Sequence, residues 1–289
     1  LKRQSGNNQE AVDLFKRAIQ ADPKLVQAYI GAAASHLALG DLTQAELFSD
    51  QALGINTSTP GANEILGIVF QNKGNPDRAI ECYQKELGIN PQASNSLLNL
   101  GLLLLQKSQP AAALELLIKA SAIKPSEQCS LLLAQAYQNL GRFTEAITEY
   151  NRLNISQSKN KLIPFNLGLC LLEIGSNNKA IEVFQIAVQL DETFFAAWGN
   201  LGSALIDEGR YQEALKATQK VLELNPGSAT AHMNLGAIYK DLGNLDQALA
   251  STLKSLELNP ENPTALVNLG AIYKDLGNLD QALASTLKS

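Results

Sequence analysis

Two histidines, three cysteines and a charged fraction of 18 % leave this 289-residue sequence short of the usual materials of catalysis. It has no HExxH, no CxxC, no glycine-rich phosphate loop and no Ser/His/Asp set. The expectation is therefore a protein that is not an enzyme and carries no cofactor and no metal. Basic charge is also scarce: the net charge is −5 and the isoelectric point about 5.2. Nucleic acids and anionic membranes both demand a basic face, so neither is expected as a partner. Cys82, Cys129 and Cys170 are odd in number and sit among apolar neighbours, which predicts reduced, buried thiols. No apolar run approaches the ~18 residues of a membrane span, and no signal peptide is visible, so a cytoplasmic setting is expected.

What the sequence has instead is repetition. Asn234–Ser255 reads NLGAIYKDLGNLDQALASTLKS, and the same residues return unchanged at Asn268–Ser289, 34 positions later. A period of roughly 20 to 50 residues marks a solenoid or array rather than an ordinary domain. The offset persists upstream in a column of alanines: Ala11, Ala45, Ala79, Ala113, Ala146, Ala180, Ala214, Ala248 and Ala282. A second column, Ala33, Gly67, Gly101, Ala134, Gly168, Gly202, Gly236 and Gly270, again admits only small side chains. Helices crossing closely require this, because a larger residue at the contact would cost ~1–3 kcal/mol.

Each period holds two helices. Trp198, Leu201, Gly202 and Leu205 share one helical face, Gly209 breaks the helix, and a second runs from about Tyr211 to the stop at Asn225-Pro226. The break recurs at Gly6, Gly40, Gly74, Gly141, Gly175, Gly243 and Gly277, with Ser108 the exception. The stop proline recurs at Pro23, Pro91, Pro125 and Pro260; Thr57, Ser158 and Glu192 replace it elsewhere.

These landmarks resemble the tetratricopeptide repeat: Trp198, Leu201, Gly202, Ala214 and Pro226 match one copy, and Leu235, Gly236, Tyr239, Ala248 and Pro260 the next. The resemblance covers the whole chain. It implies an all-α, right-handed superhelical solenoid of tandem antiparallel helix pairs that acts as a protein-interaction scaffold. Thr218, Thr252 and Thr286 depart from the pattern, standing where the family prefers an aromatic, and His36 and His232 occupy columns usually held by Tyr and Trp. Both histidines are thus expected to be structural.

The expected organisation is a single array over residues 1–289: a partial repeat 1–25, full repeats 26–59, 60–93, 94–126, 127–160, 161–194, 195–228 and 229–262, and a partial repeat 263–289. No polar capping segment is seen at either end, so the expectation is a fragment of a longer array or the ordered part of a larger protein. Two irregularities are expected: one residue missing from the turn at Lys124-Pro125-Ser126, and a shortened helix or loop at the polar stretch Asn154–Lys161.

In the family, the first helix of each pair lines the concave side. One column there reads Gly31, Ile65, Asn99, Leu132, Asn166, Asn200, Asn234 and Asn268, so that asparagine holds its last four places. A carboxamide offers an acceptor and two donors, enough to bond a peptide backbone irrespective of its side chains. With packed helices ~10 Å apart and an extended chain rising ~3.3 Å per residue, such a ladder would grip roughly every third peptide unit. It resembles the asparagine ladder in the repeat superhelix of O-linked N-acetylglucosamine transferases, where extended polypeptide is held. Asp207, Asp241 and Asp275, with Lys240 and Lys274, form a neighbouring charged column that either favours a polar ligand or is a solvated helix end. Upstream, Ile65, Ile68, Leu98, Leu102, Leu105 and Leu132 make either a groove for an amphipathic helix or deeper core. The carboxylate clamp of chaperone-binding members is disfavoured, because Ile30, Glu64, Leu98, Leu131, Phe165, Gly199, Met233 and Val267 occupy the column of its lysine. Protein or extended peptide is the expected partner. Two alternatives stand beside it: a substrate-recruiting arm of a larger enzyme such as a glycosyltransferase, and head-to-tail self-association through the near-identical end repeats.

Overall fold

The computed structural model describes residues 2–155 and 158–286, apart from the side chains of residues 2–6, 283 and 286. Among these residues every regular element is a helix, seventeen in all. The chain packs as two compact units, 1–142 and 143–289, divided between the eighth helix and the ninth. The first unit contains α1 (Lys2–Ala21), α2 (Val26–Ala38), α3 (Leu42–Ile55), α4 (Ala62–Asn72), α5 (Pro76–Ile89), α6 (Ser94–Gln106), α7 (Pro110–Ile123) and α8 (Glu127–Asn139). The second contains α9 (Phe143–Asn151), α10 (Leu162–Glu173), α11 (Asn177–Leu190), α12 (Phe195–Asp207), α13 (Tyr211–Leu224), α14 (Ala229–Asp241), α15 (Leu245–Leu258), α16 (Pro263–Asp275) and α17 (Leu279–Thr286). Even-numbered helices open a repeat and odd-numbered ones close it. Within each unit a helix packs on its chain neighbours, and opening helices also touch one another: α2 with α4, α4 with α6, α6 with α8, and, in the other unit, α12 with α14 and α14 with α16.

The turn inside a repeat follows from one residue. After α12, Gly209 takes φ +69°, its N–H bonds the Ile206 carbonyl at 2.9 Å, and the Arg210 N–H bonds the Leu205 carbonyl at 2.8 Å. This pair of bonds satisfies carbonyls that the helix end leaves open and requires a left-handed residue between them. After α6 the same two bonds form around Ser108 at φ +57°, so the turn survives without glycine under local backbone strain. The turn between repeats is less dependent on its signature residue. Asn225, Asn90 and Asn259 are extended before a proline, yet Asn56 before Thr57 and Asp191 before Glu192 adopt the same conformation, φ −148° and −150°.

Both small-residue columns are seams. Ala45, Ala79, Ala113, Ala146, Ala180, Ala214 and Ala248 are wholly buried, whereas Ala11 is half-buried. A Cβ added at Gly67, Gly101 or Gly168 would come within 2.5, 2.7 or 2.5 Å of Tyr83, Leu117 or Phe184, a large side chain of the closing helix. Backbone approach here is exchanged for burial of a large side chain, worth ~1.5–3 kcal/mol each against exposure.

Three expectations change or sharpen. Gly6 does not break a helix, since α1 (Lys2–Ala21) runs through it. α9 is short, 9 residues against the 14 of α3, α5, α7, α11, α13 and α15, and irregular backbone follows it, residues 156 and 157 lying outside the described set. The missing residue is taken from the turn at 124–126, where Ser126 Oγ accepts from the Cys129 N–H and caps α8.

All three thiols are free and buried, and burial pushes Cys170 up to about 11. Among the described residues no helix is long and apolar enough to cross a membrane. The upstream apolar residues belong to the core rather than to an open groove. Ile65 joins a buried cluster with Ala33, Ala45 and Val69, and Leu132 one with Ala113, Leu114 and Leu117, against which Leu98, Leu102 and Leu105 pack.

Candidate functional site

The two histidines are accounted for by packing. His36 is buried and stacks on Phe48, centroids 5.4 Å apart, with Nδ1 3.3 Å from Asp41 Oδ2. His232 Nε2 lies 3.2 Å from the Pro226 carbonyl oxygen. Trp198 donates to the Glu192 carbonyl at 3.0 Å and Tyr29 to the Pro23 carbonyl at 3.1 Å, each again six residues back. That column ties the opening helix to the turn before it. Among the described residues no group of three His, Cys, Asp or Glu is placed to hold a metal ion.

The asparagine column sits mid-helix on α6, α10, α12, α14 and α16, and all five side chains are half-buried. Their commitments differ. Asn99 hydrogen-bonds the Tyr83 hydroxyl, which itself donates to Gln71 Oε1 at 3.1 Å. Burial pushes the Tyr83 phenol well above its usual range, with the Asn99 bond opposing. In the second unit Asn166 bonds the buried Tyr150 hydroxyl in the same way. Asn200 Nδ2 donates to the Ala196 carbonyl of its own helix at 2.9 Å, and Asn234 Nδ2 to Ser203 Oγ at 3.3 Å. Each of these bonds uses one of two N–H donors, and no described residue bonds either Oδ1. Asn268 has no hydrogen-bond partner among the described residues. The tyrosine contacts were missed in the sequence, although a tyrosine sixteen places before an asparagine, at 83 and 99 and again at 150 and 166, was their signal.

Asp207, Asp241 and Asp275 are the last residues of α12, α14 and α16, two turns beyond the asparagines, and all are exposed. The Tyr211 hydroxyl donates to Asp241, and Lys240 Nζ lies 3.1 Å from Asp241 Oδ1, so this carboxylate is already engaged. Lys274 is exposed. The column stands at exposed helix ends, where the helix dipole disfavours negative charge. On the clamp column, Glu64 accepts from Asn95 Nδ2 and Ser96 Oγ at 3.1 and 2.8 Å, joining α4 to α6, and Phe165 packs between Phe184 and Phe194.

Both units are therefore all-helical stacks of antiparallel helix pairs, and in the second the opening helices carry a register of asparagines. Family profiles described as tetratricopeptide repeat match residues 2–60, 205–252 and 131–193, and one described as TPR repeat matches 236–277. The chain belongs to the tetratricopeptide repeat family. A profile described as anaphase-promoting complex, cyclosome, subunit 3 also matches residues 72–153. No curated protein matches the chain. Among solved structures, YrrB, titled a TPR protein with an unusual peptide-binding site, is 25 % identical with a TM-score of 0.60, over 65 % of this chain and 97 % of that one. MamA is 29 % identical with a TM-score of 0.51, over 54 % of this chain and 91 % of its own. The Cut9-Hcn1 assembly of APC/C, 19 % identical with a TM-score of 0.50 over 92 % of this chain and 52 % of that one, shares the fold.

Proposed function

We propose that the chain is a protein-interaction scaffold whose second unit holds an extended peptide along the asparagine-bearing face of α10, α12, α14 and α16. The observation that carries this reading is the register Asn166, Asn200, Asn234 and Asn268, one half-buried carboxamide per opening helix, with unused bonding capacity at Asn200 and Asn234. A peptide backbone offers an N–H and a C=O at each residue, and a carboxamide matches both. YrrB, similar over most of its own length, is described as having a peptide-binding site, which supports the class of partner.

Asn200 and Asn268 are the positions for a test, because neither bonds a residue of another helix. Dodecapeptides selected from a random library against the whole chain should lose roughly tenfold or more in affinity with Asn200→Ala/Asn268→Ala, whatever their side chains, since two backbone hydrogen bonds are worth ~1–3 kcal/mol together. Equal affinity of the double variant, with the melting temperature unchanged, would reject the ladder.

A further inference from the structure

Tyr29, Trp198 and His232 tie an opening helix to the turn before it, each ring reaching a carbonyl oxygen six residues back. In the repeat that α4 opens, the same position holds Asn63, and six residues back stands Thr57. The tie is not made. No described residue donates to the Thr57 carbonyl, and the Asn63 carboxamide bonds no described residue.

An open pocket of about 420 Å³ lies here between the ends of α3 and α5 and the start of α4, lined by Leu53, Thr57, Asn63, Lys85 and Ile89. Its walls are the counterparts, at the repeat offset, of residues that surround a ring elsewhere. Ile19, the counterpart of Leu53, packs on the cluster that holds Tyr29. Lys220, the counterpart of Lys85, interacts electrostatically with Glu192, the counterpart of Thr57 in the Trp198 repeat. Asn63 forms the floor: it is 4 % exposed, yet neither Oδ1 nor Nδ2 is sealed from solvent, so what it still shows it shows to the pocket. Thr57, exposed, stands at the mouth.

The other repeats without the ring differ in side chain or in turn. Leu97 and Leu266 put a buried aliphatic group at the position. Ser130 follows the turn that is one residue short, where Cys129 Sγ donates to the Lys124 carbonyl at 3.7 Å. Pro164 follows the irregular backbone after α9. Asn63 has neither a bulky side chain nor an altered turn.

We propose that this pocket binds a tryptophan or tyrosine side chain of a partner protein. Apolar walls at Leu53 and Ile89 suit the ring, and the carboxamide on the floor, costly to keep nearly buried without a partner, calls for a ring that carries an N–H or O–H. That donor bonds Asn63 Oδ1, and the exposed Lys85 offers a cation to the ring face. The Thr57 carbonyl at the mouth accepts the backbone N–H of the residue that presents the ring, which favours a side chain over a free indole. Room is not limiting, since an apolar cavity of ~150 Å³ holds benzene. Asn63 lies two residues, or ~200°, around α4 from Ile65 in the ladder column, so the pocket opens away from the peptide path and does not depend on it.

The test follows the Thr57 backbone and Asn63 side-chain amide signals of the whole ¹⁵N-labelled chain during NMR titration with four capped amino acids. N-acetyl-tryptophanamide and N-acetyl-tyrosinamide should shift both signals saturably with a Kd of about 1 mM, the scale for ligands of this size. N-acetyl-phenylalaninamide, which lacks the donor, should bind roughly tenfold more weakly, and N-acetyl-leucinamide should give no shift. Asn63→Tyr, which restores the ring of Tyr29, should abolish the Thr57 response with the melting temperature at or above that of the parent. Asn63→Leu, which copies Leu97, is the second variant should the first fold poorly. Equal binding of the phenylalanine amide, a response that survives both variants, or no shift with any amide overturns the pocket. Free indole that binds where N-acetyl-tryptophanamide does not overturns the protein partner. Asn200→Ala/Asn268→Ala, which tests the ladder, should leave these titrations unchanged.

Discussion

Gly168 and Phe184 are fitted so closely that a Cβ on residue 168 would lie 2.5 Å from ring carbon Cε1 of Phe184. Phe184 is fully buried and has no room to withdraw. Gly168→Ala should therefore destabilise the second unit by ~1–3 kcal/mol, the scale of overpacking. Gly202→Ala faces Thr218 Oγ1 at 3.1 Å and Ala217 Cβ at 3.7 Å and should cost clearly less. Urea unfolding of the two variants side by side checks this, and equal costs would mean that the ring does not set the seam.

Ser108 is the one non-glycine residue at positive φ among those described, with φ +57°. The left-handed conformation costs an L-residue ~1–2 kcal/mol, partly offset by the entropy glycine loses on folding. Ser108→Gly should stabilise the first unit by roughly 0.5–1 kcal/mol. Gly209→Ser should destabilise the second by a similar amount. Thermal melts at matched concentration suffice to see both signs.

The ladder asparagines should separate in stability. Asn166→Ala removes a hydrogen bond from the buried Tyr150 hydroxyl and should cost ~1 kcal/mol. Asn268→Ala breaks no bond to a described residue and should fall within ~0.5 kcal/mol of the parent. Denaturation midpoints decide the point, and a large loss at Asn268 would show that the column is structural throughout.

Asp191 accepts from Lys161 and from the Thr193 N–H and Oγ at 2.8 and 2.6 Å, which together hold its carboxyl down at about 2, below its ordinary 3.8. A carboxylate with a lowered folded-state pKa stabilises the fold above its ordinary value, and that contribution disappears as pH falls from there towards 2. Lys161→Met should raise the Asp191 pKa towards the ordinary value and flatten stability over this acid window. Carboxyl-carbon NMR titration of parent and variant reads the shift directly.

Most of the fold was legible because repetition turns weak local signals into columns. One glycine after a helical stretch says little, but seven at a fixed offset predict a turn, and the turns stand at Gly40, Gly74, Gly141, Gly175, Gly209, Gly243 and Gly277. Gly6 broke the rule, for α1 runs through it without a turn. The site was only half legible. Asn99, Asn166, Asn200, Asn234 and Asn268 look alike as letters, yet two bond tyrosines, one its own helix, one a serine across the groove, and one nothing described.

The order of residues by itself determined the helix pair, its period, its turns and the small-residue seams, because these depend on backbone sterics and on side-chain size at fixed spacing. Tertiary structure alone decided which carboxamides remain free and where the stack is left unfilled. Both depend on distances between side chains of separate helices, where a shift of an ångström makes or breaks a hydrogen bond or opens a cavity.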